Sequence, residues 1–246
     1  MDRSLYIAMS GAKQTLMAQA TNANNLANAQ TTGFKSDMEQ FRSMPVFGAG
    51  YPTRVYAMTE RPGTDFTPGA VQTTGKELDV AINGKGFFAI QDSEGKEAYT
   101  RAGDLHLTPE GLLQTGTGLQ VIGQNGPIAV PPAQKMDIGS DGTISIVPLG
   151  ANPNALVVLD RIKMVDLPEN TIAKKTDGLI HTQDGLPQQA SANVSLVQGA
   201  LESSNVNSIQ AMVEMIELSK NFELQSKVMK SANELSGVSA KLMQMS

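Results

Sequence analysis

After Pro187 the chain has no proline, and from Leu201 to Met245 its only glycine is Gly237. Within that stretch Ala211, Met215, Leu218, Phe222, Met229, Ala232, Leu235, Leu242 and Met245 recur at helical intervals. A second stripe, Ile209, Met212, Val213 and Ile216, lies on a neighbouring face. Apolar residues at this spacing predict an amphipathic helix, because an α-helix returns to one face every 3.6 residues. At 1.5 Å per residue the helix from Ile209 to Met245 would reach roughly 55 Å. That exceeds the span of most domain cores, so much of its apolar surface is expected to meet another long helix or another chain.

The breakers divide the rest of the chain. All prolines fall between Pro45 and Pro187, so the two ends are helix-competent and the middle is not. Residues 1 to about 29 predict a helix, with Leu5, Met9, Ala12, Leu16, Ala20, Ala23 and Ala27 at steps of three and four. Asp2 is placed to cap its start, and Thr32-Gly33 to mark its exit. Phe34 to about Gly75 carries Pro45, Pro52, Pro62 and Pro68, which exclude a long helix. Phe41, Val46, Phe47, Tyr51, Val55 and Tyr56 give it more apolar content than a flexible linker has. An extended, ordered arm is expected there.

From Leu78 the period becomes two. Leu78, Val80 and Ile82 lead into Asn83-Gly84, and Phe88 and Ile90 follow. Further turns are predicted at 92–95, 109–111, 140–142, 177–178 and 184–185, with Val157 to Leu167 as a longer strand. Short strands with turns at this spacing predict an antiparallel sandwich or barrel-like domain. The expected fold is mixed α and β. The N- and C-terminal helices pair as a coiled-coil-like stalk, and a central antiparallel β-rich domain lies between them. The expected boundaries are 1–33 with 200–246 for the helical domain, 34–76 for the connector arm and 77–199 for the β-rich domain.

Composition narrows the function. The net charge of −5 is mild, and no basic block suggests nucleic acid. There is no cysteine, so disulfides and thiolate chemistry are excluded. Tryptophan is absent and aromatics make up 4% of the chain, which weakens any stacking site. Arg3, Ser4, Ser10 and Lys13 interrupt Leu5, Ile7 and Met9, so no apolar signal core is expected there. No stretch is apolar and long enough to span a bilayer.

The only histidines, His106 and His181, lack ligand-spaced neighbours and are expected on strand surfaces. Gly139-Ser140-Asp141-Gly142 reads as a hairpin turn, and Gly84-x-Gly86 lacks the third glycine of a dinucleotide site. Asp92, Glu94 and Glu97 are expected in a solvated turn. No catalytic, cofactor or metal site is expected. A helical hairpin that merely tethers the termini, a β-rich carbohydrate- or surface-binding module on an oligomerisation stalk, and an enzyme with a cluster formed only on folding are the other readings open on pattern.

Several motifs point further. Asn24-Asn25-Leu26-Ala27-Asn28 followed by Thr32-Gly33-Phe34-Lys35 resembles the N-terminal signature of bacterial flagellar rod and hook proteins. Leu78 through Gly84, with Gly86-Phe87-Phe88, resembles the start of their β-rich domain, and Tyr99-Thr100-Arg101 through Gly103 the next block. Residues 199–207 and the helix after them resemble the C-terminal block. The matches are collinear and cover both termini and much of the middle. Met1-Asp2 through Ala12, the chain length, and Asn221 through Gln225 with Lys227-Val228 are most similar to a proximal rod subunit, with a distal rod subunit the near alternative.

The resemblance implies a non-enzymatic subunit of the periplasmic rod of the basal body, exported by the flagellar type III apparatus without a cleaved signal. Its implied partners are copies of itself and other rod subunits, with no nucleic acid, no cofactor and no membrane-spanning segment. Torque would pass through its terminal helices. The residues expected to carry assembly are Leu5, Met9, Leu16 and Leu26, with Asn24, Asn25 and Asn28, on the first helix. On the last they are Ile209, Val213, Ile216, Phe222, Met229, Leu235 and Leu242. The two stripes of the last helix are the expected faces of a heterologous contact.

Overall fold

A computed structural model describes residues 3–45, 47, 55–59, 63–150 and 155–244. Asp2, Met245 and the side chain of Leu242 lie outside the described residues, as do Val46, Tyr51, Pro52 and Pro62. The chain forms two compact units. One contains residues 1–29, 36–65 and 206–246, and the other residues 30–35 and 66–205. Residues 34–76, expected as an arm, contribute to both.

The first unit is built on two helices, α1 (Arg3–Ala27) and α2 (Ser208–Gln244). Asn207 starts α2: its Oδ1 accepts from the backbone N–H groups of Ile209 at 3.1 Å and Gln210 at 3.2 Å. These are two of the donors that a helix start leaves unpaired. Strands Phe41–Pro45 and Val55–Thr59 form an antiparallel hairpin, and Asp37–Met38 pairs with Gly63–Thr64. The described parts of the proline-rich segment therefore include paired strands, with Pro45 at a strand end where its missing N–H is tolerated.

The helix exit differs from its sequence reading. α1 ends at Ala27, well before Gly33. Gly33 does adopt a left-handed conformation, φ +66, but for another purpose. A β-carbon there would lie 2.3 Å from the backbone carbon of Arg101. The glycine permits close backbone approach within the β-rich unit rather than a helix cap.

The second unit is antiparallel throughout its paired strands. Its largest sheet has eight strands, with Phe87–Gln91 near the middle, bonded to Glu97–Thr100, Gln120–Val121 and Met164–Val165. Ala133–Ile138, Thr143–Pro148 and Val157–Arg161 make a three-stranded sheet. Val80–Asn83 pairs with Ser195–Gln198, and Val71–Thr73 with Ala200–Glu202. The main core is apolar and includes Val80, Ile82, Phe88, Ile90, Leu113, Ile144, Ile146 and Ile162. A smaller cluster gathers Phe87, Tyr99, Val165 and Ile180 on the other side of the Phe87–Gln91 strand. That strand is buried on both faces, so Phe87 and Ala89 are covered as well as the alternating Phe88 and Ile90.

Most predicted turns are hairpins. Asp92 organises one, its Oδ1 accepting from the N–H groups of Glu94 and Lys96. Asn83-Gly84 also turns, with Gly84 at φ +86, but the strands it joins lie in different sheets. The strand expected over Val157 to Leu167 is broken after Arg161; Met164–Val165 pairs in the other sheet. One strand-like stretch thus crosses between two sheets, a distinction that periodicity does not carry. His106 is exposed as expected, but His181 is buried, with Nε2 2.9 Å from Asp177 Oδ2. Glu97 is not a solvated turn residue: it sits on a strand and receives Lys163 Nζ at 2.8 Å and the Tyr99 hydroxyl at 2.8 Å.

Candidate assembly surface

α1 and α2 lie side by side in the first unit. They run antiparallel, since Asn22 of α1 meets Ala211 and Thr15 meets Gln225. Along α2 the least exposed described positions are 211, 215, 218, 222, 225, 229 and 232, at alternating steps of four and three. This inner seam follows the first predicted stripe, with Phe222 and Met229 in it, and adds Gln225.

The inner face of α1 is not the predicted one. Ala8, Ala12, Thr15, Ala18 and Asn22 are buried, whereas Met9 and Leu16 face outward, Met9 at 55% exposure. The packed face is rotated by about one residue from the predicted stripe, and only Ala12 is common to both. Size explains the choice. Small residues let the backbones approach, and bulky ones at these positions would hold the helices apart. At Gly11 an added β-carbon would lie 3.1 Å from Gln225 Nε2, which shows how close the approach is.

Polar contacts fix the register. Asn22 Nδ2 donates to the backbone carbonyl of Ala211 at 2.7 Å in a buried setting. Gln225 Nε2 donates to Thr15 Oγ1 at 3.2 Å. Neither Asn22 nor Gln225 was legible as special in the sequence; a polar residue interrupting an otherwise small or apolar helical seam is the signal that marks them.

The amides singled out by sequence have local roles. Asn25 Nδ2 donates to the carbonyl of Asp37 at 2.8 Å and its Oδ1 accepts from the Asp37 N–H at 2.9 Å, so it pairs with that strand as a backbone would. Asn28 Nδ2 donates to the carbonyl of Asn24 at 3.0 Å, which also accepts from the Asn28 backbone N–H at 3.1 Å. Asn24 is exposed, and Leu5 and Leu26 are half-buried.

Part of what remains outside is apolar. Ile209, Met212, Val213 and Ile216 form an exposed patch at the start of α2, with Ile209 75% exposed. Leu224, Val228, Leu235 and Val238 continue the exposed apolar surface along the helix. On α1, Tyr6, Met9, Leu16 and Met17 are exposed, and on the hairpin Phe41, Met44 and Met58. A groove of about 790 Å³ runs between the helices and the hairpin, lined by Ile7, Gly11, Phe41, Tyr56, Leu224 and Val228 among others. Among the described residues no group of three or more acidic, histidine or cysteine side chains could hold a metal ion. No described helix is long and apolar enough to cross a membrane.

Comparison with known proteins matches three separate stretches of the chain. The family described as flagella basal body rod protein matches residues 5–35. The D1 domain of flagellar hook protein FlgE/F/G matches residues 81–146, and the C-terminal region of the basal-body rod FlgEFG proteins matches 197–242. The chain is 38% identical to the flagellar basal-body rod protein FlgF of Salmonella typhimurium over 252 aligned positions, covering all of both chains. It is 40% identical to FlgF of Escherichia coli, again with full coverage of both. Identity to the rod protein FlgG of Bacillus subtilis is 32%, over 95% of this chain and 96% of that one. With its terminal motifs, its β-rich centre and this full-length similarity, the chain belongs to the family of flagellar basal-body rod proteins.

Proposed function

We propose that this chain is a structural subunit, not an enzyme, of the flagellar basal-body rod, and within it of the proximal rod. The observation that carries the assembly reading is the outward apolar surface of the terminal helices. The inner seam of small and apolar residues already occupies one face of each helix, so Ile209, Val213 and Ile216 on α2 and Met9 and Leu16 on α1 remain for neighbouring subunits. The heptad-like steps along α2 support a coiled-coil-like stalk. Helical assembly needs two different faces on each subunit, because a heterologous contact that does not close extends without limit. The α2 patch offers one face, and the groove between helices and hairpin offers the other.

In this reading the partners are copies of the chain and other rod subunits, with the export apparatus engaged before assembly. The assembled position is the periplasmic rod, and torque passes along the terminal helices. The higher identity to the FlgF relatives of Salmonella typhimurium and Escherichia coli than to the FlgG relative of Bacillus subtilis supports a proximal place. Val213→Asp with Ile216→Asp tests the assembly surface. The double variant is expected to fold as a monomer, to be secreted, and to be missing from purified basal bodies, with loss of swimming. Wild-type incorporation and swimming would overturn the assignment of this face.

A further inference from the structure

The β-rich unit holds a buried ionic cluster that the assembly surface does not use. The side chains of Lys35, Arg101 and Glu202 are each no more than 2% exposed. Glu202 Oε1 accepts from Lys35 Nζ at 2.6 Å and from the Gly69 N–H at 2.9 Å. Glu202 Oε2 accepts from Arg101 Nη1 at 2.8 Å. Lys35 Nζ also donates to the carbonyl of Thr67 at 2.7 Å, and Arg101 Nη2 to that of Gly84 at 2.7 Å.

Backbone bonds knit the same segments. The N–H of Gly33 donates to the carbonyl of Glu202 at 2.8 Å, that of Ser203 to Ala70 at 2.8 Å, and that of Asn205 to Phe34 at 3.3 Å. The fit leaves no slack: a β-carbon on Gly69 would lie 1.9 Å from the carbonyl oxygen of Ser203. The segments so joined are 30–35, 66–70 and 202–205. The unit itself consists of Gln30–Lys35 and Phe66–Asn205. Every point where the chain enters or leaves it therefore belongs to one of these three segments.

One carboxylate serves two buried cations here. Buried ion pairs add little net stability, because desolvation offsets the attraction, yet removing one partner is costly. Such a cluster fixes an arrangement more than it strengthens the fold. We propose that Glu202 is the pin of a single joint that gathers all three connecting segments, so that strain arriving along either terminal helix enters the β-rich unit at one buried point. The mechanical meaning rests on the rod-subunit reading; the joint itself rests on the geometry.

The test is hydrogen exchange by mass spectrometry on the soluble full-length chain. Glu202→Gln leaves two cations without their counter-charge. Exchange at 30–35, 66–70 and 202–205 is expected to rise together, on the order of a hundredfold or more, with the 87–91 strand still protected. Lys35→Met leaves Glu202 balanced by Arg101 but removes the bond to the Thr67 carbonyl, so its rise is expected at 30–35 and 66–70, with 202–205 unchanged. It also serves as the test if the first variant does not fold. Unchanged exchange in all three segments of Glu202→Gln, a rise in only one of them, or unchanged 30–35 exchange in Lys35→Met would overturn the joint. A Glu202→Gln subunit that enters basal bodies but fails to drive swimming in viscous medium supports it. Absence of the wild-type chain from isolated basal bodies sinks the rod reading and leaves the exchange result standing.

Discussion

The side-chain amide of Asn22 donates to the backbone carbonyl of Ala211 at 2.7 Å, and the donor is buried. Residues at opposite ends of the sequence are thereby fixed in one register. Asn22→Ala removes the bond and leaves a helical carbonyl without its second partner. The helix pair is expected to lose about 1–3 kcal/mol. Thermal melts followed by circular dichroism measure the loss; a melt that matches wild type would refute the role of this bond.

Gly33 and Gly75 form a matched pair. Both have positive φ, +66 and +74. A β-carbon on Gly75 would meet nothing within 4 Å, whereas one on Gly33 would collide with the Arg101–Ala102 backbone. Gly75→Ala is expected to cost only the left-handed penalty, about 1 kcal/mol. Gly33→Ala is expected to cost roughly 3 kcal/mol or more, because backbone must move. Denaturant midpoints of the two variants decide the matter, and equal losses would contradict it.

Phe222 and Ile216 separate folding from assembly. Phe222 lies in the inner seam of α2, whereas Ile216 is 55% exposed. Phe222→Asp is expected to destabilise the helix pair by about 2 kcal/mol or more. Ile216→Asp is expected to leave the monomer melt within about 0.5 kcal/mol of wild type. Both are expected to be absent from purified basal bodies. A melt of Ile216→Asp as low as that of Phe222→Asp would place Ile216 in the seam instead.

Asp104 gives the β-rich unit a pH dependence. Burial raises its carboxyl above the ordinary value of 3.8, and the charge of Asp79 raises it further, against hydrogen bonds from the backbone that lower it. The two residues are cross-strand partners in an antiparallel bridge, so their side chains share a face. A folded carboxyl with a raised pKa binds its proton more tightly than the unfolded one. Its contribution to stability is therefore full below 3.8 and is lost as pH rises through the folded value. Asp104→Asn is expected to remove that decline, so that its advantage over wild type grows with pH across this window and persists at pH 7. Melts at pH 3.5, 5 and 7, on the order of these values, would expose the sign; a variant less stable than wild type at neutral pH would reverse it.

Much of this protein was legible in its sequence. The absence of proline at both ends permitted two long helices, and the α2 stripe through Met215, Leu218 and Phe222 identified the seam, because a 3.6-residue period records which side is dry. Turn residues such as Asp92 and Gly142 located hairpins, because their backbone demands are local. Tertiary structure decided the rest. Ala8, Thr15 and Asn22 rather than Met9 and Leu16 line α1, because helix approach selects small side chains and hydropathy does not. The break between Arg161 and Met164 follows from which sheet offers an edge. The meeting of Lys35, Arg101 and Glu202 depends on chain paths that bring distant residues together, and no local pattern records where a buried charge will find its partner.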